Sequence, residues 1–105
     1  MTITSLDDYR DWFIGDFEPT LYKTNAFEVG IKRYKAGDVA DLHYHQYVTE
    51  FTVILDGTVK MNQLILNKNS VAKVEPGEVV LFEAITDVVT LVIKTPSLPK
   101  DKISI

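Results

Sequence analysis

Short runs of apolar and β-branched residues, separated by closely spaced turn signals, limit most strongly what this chain can fold into. The turn signals, rich in Gly, Asn, Asp and Pro, lie at 35–38, 56–57, 62–63, 67–70 and 75–77. They delimit predicted strands at 51–55, 64–66, 71–74, 79–82 and 88–93. An earlier strand is indicated by apolar residues at 27, 29 and 31 that alternate with charged residues at 28 and 32. Short strands at this spacing predict an all-β sandwich or barrel of the jelly-roll type.

A helix is predicted ahead of the strands. Ser5 and Asp8 have the spacing of an N-terminal capping box, and apolar residues then recur at helical spacing up to a stop signal at Gly15. The recurring residues are Leu6, Tyr9, Trp12 and Phe13. We therefore expect one domain over 1–105, with the helix and a connection over 1–26, a β-barrel over 27–94 and a C-terminal arm over 95–105.

The composition of the chain limits which classes of molecule it can bind. The chain has 105 residues, of which 46% are hydrophobic and 25% are charged, as in an ordinary globular domain. A net charge of -4 and an isoelectric point near 5.0 argue against a nucleic acid or an anionic membrane as the partner. The absence of cysteine excludes disulfides and thiolate metal sites. With no secretion signal at the start and no apolar run of about 18 residues, we expect a cytoplasmic protein.

The two histidines of the chain lie two residues apart. On an extended strand His43 and His45 point to the same side, and Tyr44 points to the other. Glu50 stands at an odd offset from His45, so it joins that side only if a turn over 46–49 resets the alternation. Two neutral imidazoles and one carboxylate form a ligand set that suits divalent iron, manganese, nickel or zinc. The alternative interpretation is a structural histidine pair and a surface glutamate.

The spacing around these residues resembles the first conserved motif of the cupin superfamily. The matching pattern is Gly37-x5-His43-x-His45-x4-Glu50-x6-Gly57. The resemblance implies a cupin-like jelly-roll β-barrel, dimer formation, and a divalent metal ion held by the two histidines and the glutamate. Gly37 and Gly57 are interpreted as turn residues without chemistry of their own.

The second cupin motif is present only in altered form. Its turn corresponds to Pro76-Gly77, and the histidine expected three residues after that glycine is replaced by Val80. Glu83 is the one nearby carboxylate that could replace the lost ligand, but its odd offset from Val80 predicts the opposite face unless a bulge intervenes. Water is the other candidate for the fourth position.

Three functions are compatible with this ligand set, and the sequence alone does not decide between them. The first is a small metal-binding cupin that acts on a small molecule in the barrel, as an oxygenase or an isomerase, with no catalytic residue assigned. The second is a non-catalytic ligand-binding or sensory module with a vestigial metal site. The third is a structural or assembly subunit. A homodimer is expected, since small sandwiches leave open sheet edges that proteins cover or pair.

Overall fold

Two β-sheets pack face to face in the computed structural model, which describes all 105 residues. In chain order the strands are β1 (Trp12–Gly15), β2 (Tyr22–Lys23), β3 (Glu28–Tyr34), β4 (Val39–His45), β5 (Thr49–Asp56), β6 (Val59–Met61), β7 (Leu64–Leu66), β8 (Val71–Val74), β9 (Val80–Ala84), β10 (Val88–Thr95) and β11 (Lys102–Ser104). The six-stranded sheet has the order β2-β1-β3-β10-β5-β8, and the five-stranded sheet has the order β11-β4-β9-β6-β7. The predicted all-β jelly-roll architecture is confirmed.

The hydrophobic core lies between the two sheets at one end of the barrel. It consists of Ile54, Val59, Met61, Val74, Val80, Phe82, Ala84 and Val88, all buried. Both sheets contribute, because every second residue of a strand faces inward. Three of these residues, Met61, Val80 and Phe82, also line an interior cavity, where they meet polar side chains.

The predicted N-terminal helix is much shorter than expected. The capping box of Ser5 and Asp8 is present, but it opens a single 3₁₀ turn, Leu6–Tyr9. Arg10 and Asp11 then adopt positive φ angles of 53° and 69°, which end the helix, and the next residues form β1. The prediction of a helix through Trp12 and Phe13 is therefore wrong, because these two residues alternate along strand β1. No helix in the structure has the length and apolar character needed to cross a bilayer.

Strand β3 turns its charged face inward. The strand itself was predicted, with apolar residues at 29 and 31 as its half-buried side. In the structure Glu28 and Gly30 are buried, while Lys32 and Tyr34 line the interior cavity. The apolar residues at 29 and 31 lie on the outer face of the sheet, so hydrophobic alternation here indicates a second, outward-facing apolar surface.

The segment predicted as a C-terminal arm, 95–105, includes β11. This strand pairs antiparallel with β4, and Lys102 is the register partner of His45 while Ser104 is that of His43. The strand that carries both histidines is thus held between β9 and the C-terminal residues. Sequence alone gave no sign of this pairing, because the final strand has only three residues.

Candidate functional site

The ends of two strands bring the predicted site residues together. His43 and His45 lie at the C-terminal end of β4, and Glu50 is the second residue of β5. A bend at 46–47 separates the strands and resets the alternation, which is the condition for Glu50 to join the side of the histidines. The bend is fixed from outside by Asp101, whose carboxylate accepts hydrogen bonds from the backbone N–H groups of Tyr47 and Val48.

His45 and Glu50 form the centre of the site. The imidazole Nε2 of His45 lies 3.4 Å from Oε1 of Glu50, yet it makes no hydrogen bond of adequate geometry and is buried, with His45 only 2% exposed. Oε2 of Glu50 accepts a hydrogen bond of 3.3 Å from the hydroxyl of Thr52, and the Lys94 ammonium lies 3.9 Å from Oε1. A buried polar atom without a hydrogen bond of good geometry is costly, so this nitrogen is a candidate donor to a ligand.

Electrostatics keep the Glu50 carboxyl ionised. Burial alone would raise the pKa of Glu50, but the neighbouring His45 imidazole and the Lys94 ammonium outweigh it, so the pKa lies below its ordinary value. Burial has the opposite consequence for the amine and lowers the pKa of Lys94, although Glu50 and Glu28 oppose that shift. The site therefore holds a carboxylate with a cationic neighbour.

His43 is the second imidazole of the cluster. Its ring centroid lies 5.4 Å from that of His45, and the planes meet at 82°. Burial is the main cause that lowers the pKa of His43, and the nearby Lys102 adds to it, so the ring is neutral near pH 7. Since Nδ1 lies 2.7 Å from the backbone oxygen of Asp41, the neutral ring donates its proton there and leaves Nε2 with a free lone pair.

The three residues do not form a closed metal centre in the structure. No group of three or more His, Asp or Glu side chains has the arrangement needed to hold a metal ion. What the structure shows is one close pair of donor atoms, on His45 and Glu50, with His43 beside it. The cavity that His43 and Glu50 line has a volume of about 40 Å³, which is room for an ion or one to two water molecules.

Val80, which stands where the cupin motif has a histidine, and Glu83, the candidate replacement ligand, lie on different faces of β9. Val80 is 5% exposed, lines the same cavity as His43 and Glu50, and is the register partner of His43 across β4 and β9. Glu83 lies in a separate depression with Lys60 and points away from the site, as its odd offset predicted. The interior thus presents an apolar side chain where the cupin motif has a ligand.

Several polar residues of the cavity were missed by sequence reasoning. Lys32 and Tyr34 come from β3 and Lys102 comes from β11, and all three line the cavity. Burial, with smaller contributions from Glu50 and Asp38, raises the pKa of Tyr34 to about 12, so its phenol keeps its proton. Had the charged side of β3 been taken as the inward one, Lys32 and Tyr34 would have been found.

Solved structures of similar shape place this arrangement in a known fold. An uncharacterised protein with a double-stranded β-helix domain from Klebsiella pneumoniae superposes with a TM-score of 0.67 at 17% identity, covering 92% of this chain and 91% of that one. An RmlC-like cupin from Shewanella frigidimarina superposes with a TM-score of 0.66 at 13% identity, covering 74% of this chain and 72% of that one. This chain has the cupin fold.

Other proteins with this fold are enzymes of known activity. The DMSP lyase DddQ from Ruegeria pomeroyi has a TM-score of 0.72 at 15% identity, and the matched part covers 96% of this chain and 55% of the lyase. Oxalate decarboxylase from Bacillus subtilis has a TM-score of 0.69 at 13% identity, over 77% of this chain and 24% of that enzyme. No family profile and no curated protein matches this chain in sequence. Identities this low carry the fold and leave the activity to the site.

Proposed function

We propose that this protein binds a divalent cation through His43, His45 and Glu50 beside the small interior cavity. The observation that carries the proposal is the buried, unpartnered Nε2 of His45, which faces the ionised Glu50 across 3.4 Å. A cation shared by these two atoms would satisfy both. The neutral His43, with its Nδ1 proton engaged by Asp41, is oriented to supply a second imidazole.

The neighbourhood sets the affinity and the chemistry of such a site. With Val80 in place of a fourth ligand and the Lys94 ammonium 3.9 Å from Glu50, the cation would be held less tightly than in a four-ligand centre. A bound divalent cation supplies Lewis acidity and can activate a water molecule. The protonated phenol of Tyr34 is a hydrogen-bond donor on the wall of the same cavity. An oxygenase or isomerase reaction stays part of the proposal, without an assigned catalytic residue.

Metal analysis and calorimetry test the proposal. We expect protein purified without added metal to carry a divalent cation, or to bind Mn²⁺, Ni²⁺ or Zn²⁺ with one site per chain after chelation. Glu50→Gln and His45→Gln should each weaken binding by about tenfold or more, equivalent to about 1.4 kcal/mol. Glu83→Gln removes a carboxylate on the outer face and is the matched control. Absence of binding, or equal affinities in all four proteins, would contradict the proposal.

A second candidate function, a metal-free anion-binding module, is favoured by the lysines of the site. Lys32 and Lys102 line the cavity and Lys94 adjoins Glu50, so three ammonium groups surround one carboxylate. A small anion such as acetate would then bind in the presence of a chelator, and Lys32→Met would weaken it. Binding that needs the metal would decide for the first candidate. The cytoplasmic location and the homodimer remain predictions under both.

A further inference from the structure

A second, larger cleft lies beside the cation site. It has a volume of about 370 Å³, within the range of about 300–1,000 Å³ of small-molecule pockets, whereas the interior cavity has about 40 Å³. Lys94 separates the two spaces: its ammonium lies 3.9 Å from Glu50 on the barrel side and 5.3 Å from the ring centroid of Trp12 on the cleft side. A ligand that contains an aromatic ring therefore fits the cleft and not the interior cavity.

Aromatic side chains form the apolar wall of the cleft. Tyr9, Trp12 and Phe17 contribute their rings, and the indole of Trp12 is held in place by the backbone of Gly30. A Cβ atom at Gly30 would lie 2.3 Å from Cδ2 of Trp12, so only glycine lets the ring pack this closely on β3. Because Gly30 packs against the indole and the Lys94 ammonium lies over the ring, the indole edge and the two neighbouring aromatic rings are the surface on which a planar apolar group can pack.

Arg10 is the one charged side chain on the cleft wall without a hydrogen-bond or ion-pair partner, since Lys94 lies beside Glu50. Of the two acidic residues on its wall, Glu18 pairs with Lys23 at 3.2 Å and Glu28 accepts a hydrogen bond of 3.1 Å from Ser97. The guanidinium of Arg10, on the same wall, has no ion pair and no hydrogen bond to any side chain or backbone group in the structure. A free guanidinium is suited to bidentate recognition of a carboxylate.

The backbone that carries Arg10 is fixed in an uncommon conformation. Arg10 and Asp11 both have positive φ, and Asp11 is held by an ion pair of 3.2 Å with Arg33 and by a hydrogen bond of 2.9 Å from the Ile31 N–H. Two consecutive left-handed residues other than glycine are costly unless the surroundings impose them. The turn thus holds Arg10 on the rim of the cleft next to the aromatic wall.

We propose that this cleft is a binding site for an aromatic carboxylate. The aromatic ring of the ligand packs on Trp12 and Phe17, and its carboxylate binds the guanidinium of Arg10, with Lys94 as the second cation. The apolar wall selects for the ring, and the unpaired positive charge selects for the acid over its neutral analogue. This inference does not rest on the proposed cation site, because none of the cation ligands lines the cleft.

Trp12 provides a direct assay, since it is the only tryptophan in the chain. The probe is phenylacetate, titrated into the full-length protein in the presence of a chelator while the tryptophan fluorescence is recorded. We expect a saturable change in emission. Phenylacetamide, the neutral analogue, should bind about tenfold more weakly or worse. Acetate, which lacks the ring, should not displace phenylacetate, even where it binds in the interior cavity.

The protein-side test removes the guanidinium. Arg10→Gln should weaken phenylacetate binding about tenfold or more without changing the melting temperature, because Arg10 is exposed and makes no side-chain contact that a glutamine would break. Lys68→Gln, which removes an exposed charge from a distant turn, is the control for net charge and should bind as the wild type does. A linear emission change, equal affinities for acid and amide, or wild-type affinity in Arg10→Gln would each overturn the proposal.

Discussion

Asp101 holds the backbone of Val48 across 53 positions of sequence, with its carboxylate 3.0 Å from the amide nitrogen. The same carboxylate accepts two hydrogen bonds, of 3.0 and 3.1 Å, from the N–H of Tyr47. These amides lie in the bend that joins His45 to Glu50. A residue of the C-terminal segment therefore sets the relative position of the two central donor groups of the site.

Replacement of Asp101 should affect both stability and the site. Asp101→Ala leaves the buried N–H of Val48 and the partly buried N–H of Tyr47 without an acceptor, for which we expect a loss of about 1 to 3 kcal/mol in the free energy of unfolding in urea. Asp101→Asn keeps one acceptor oxygen and should lose less. Both variants should also weaken cation binding in calorimetry. Asp16→Ala, which truncates an exposed side chain without hydrogen bonds, serves as the control. A loss as small in Asp101→Ala as in the control would refute the role assigned to the carboxylate.

The expected homodimer finds a candidate surface on the outer face of the six-stranded sheet. Leu91 is the register partner of Ile31 and Val53, and Ile93 is that of Val29 and Phe51, so apolar side chains cover the centre of this face. The sheet edges on which the sequence argument relied are only two to four residues long. The face is therefore the better basis for the prediction.

We predict a dimer formed through this face, with a sedimentation mass of about twice 11.9 kDa. Val53→Lys places a charge at its centre and should shift the protein to monomers, since an unpaired charge in an apolar interface is unfavourable. Leu81→Lys alters an exposed leucine on the other sheet and should leave the dimer intact. A single species near 11.9 kDa across micromolar concentrations would remove the dimer.

Because the pKa of Tyr34 is raised in the folded protein, we predict that the protein loses stability at alkaline pH. This pKa is raised from 10.0 to about 12, mainly by burial of the phenol. Between those two values the unfolded chain loses the proton and the folded protein keeps it. The stabilisation is therefore complete below pH 10 and is lost as the pH rises through about 12. Because the group is partly solvent-accessible, we expect a contribution of about 1 to 2 kcal/mol.

The test compares urea unfolding of the wild type and Tyr34→Phe on both sides of this pH range. The free energy of unfolding should fall more steeply with pH in the wild type than in the variant. Tyr47→Phe changes a tyrosine that is 65% exposed and should follow the wild type. Parallel pH profiles for the wild type and Tyr34→Phe would show that this phenol does not titrate differently in the folded state.

The sequence was sufficient for the fold and for the neighbourhood of His43, His45 and Glu50, because turn chemistry and motif spacing are local signals. Most of the central strands could be predicted on that basis, and so could the need for a bend between His45 and Glu50 if the two are to share a face. The N-terminal helix could not, since Trp12 at helical spacing from Tyr9 also suits a strand and the positive φ of Arg10 leaves no trace in residue type. The pairing of β1 with β3 in the folded protein determines that this segment is a strand and not a helix.

Lys32 and Lys102 were not predicted as site residues, because their positions also depend on tertiary structure. Lys32 was taken as the solvent-facing side of an amphipathic strand, which is the usual arrangement. In this sheet both faces carry apolar residues, and the polar interior positions belong to the site. Lys102 lies on a three-residue strand that pairs with β4, and the adjacent Asp101 also contacts the end of β4. These contacts join residues that are far apart in sequence.

The register of Val80 opposite His43 makes restoration of the missing ligand the sharpest test of the cation site. Val80→His places an imidazole on the inward face, next to the cavity that His43 and Glu50 line. We expect divalent cation binding to tighten about tenfold or more, equivalent to about 1.4 kcal/mol or more. The cation-free variant should be less stable than the wild type, because Val80 is buried and a buried imidazole without partners is poorly solvated.

Calorimetric titration of both proteins with the same metal, together with urea unfolding in a chelator, measures the two effects separately. Val80→Leu is the matched control, since it enlarges the side chain without adding a ligand and should lose stability without gaining affinity. If Val80→His binds the metal no more tightly than Val80→Leu, the imidazole does not reach a shared cation. His45 and Glu50 would then face each other as a metal-free pair, and the anion-binding function would be the one to pursue.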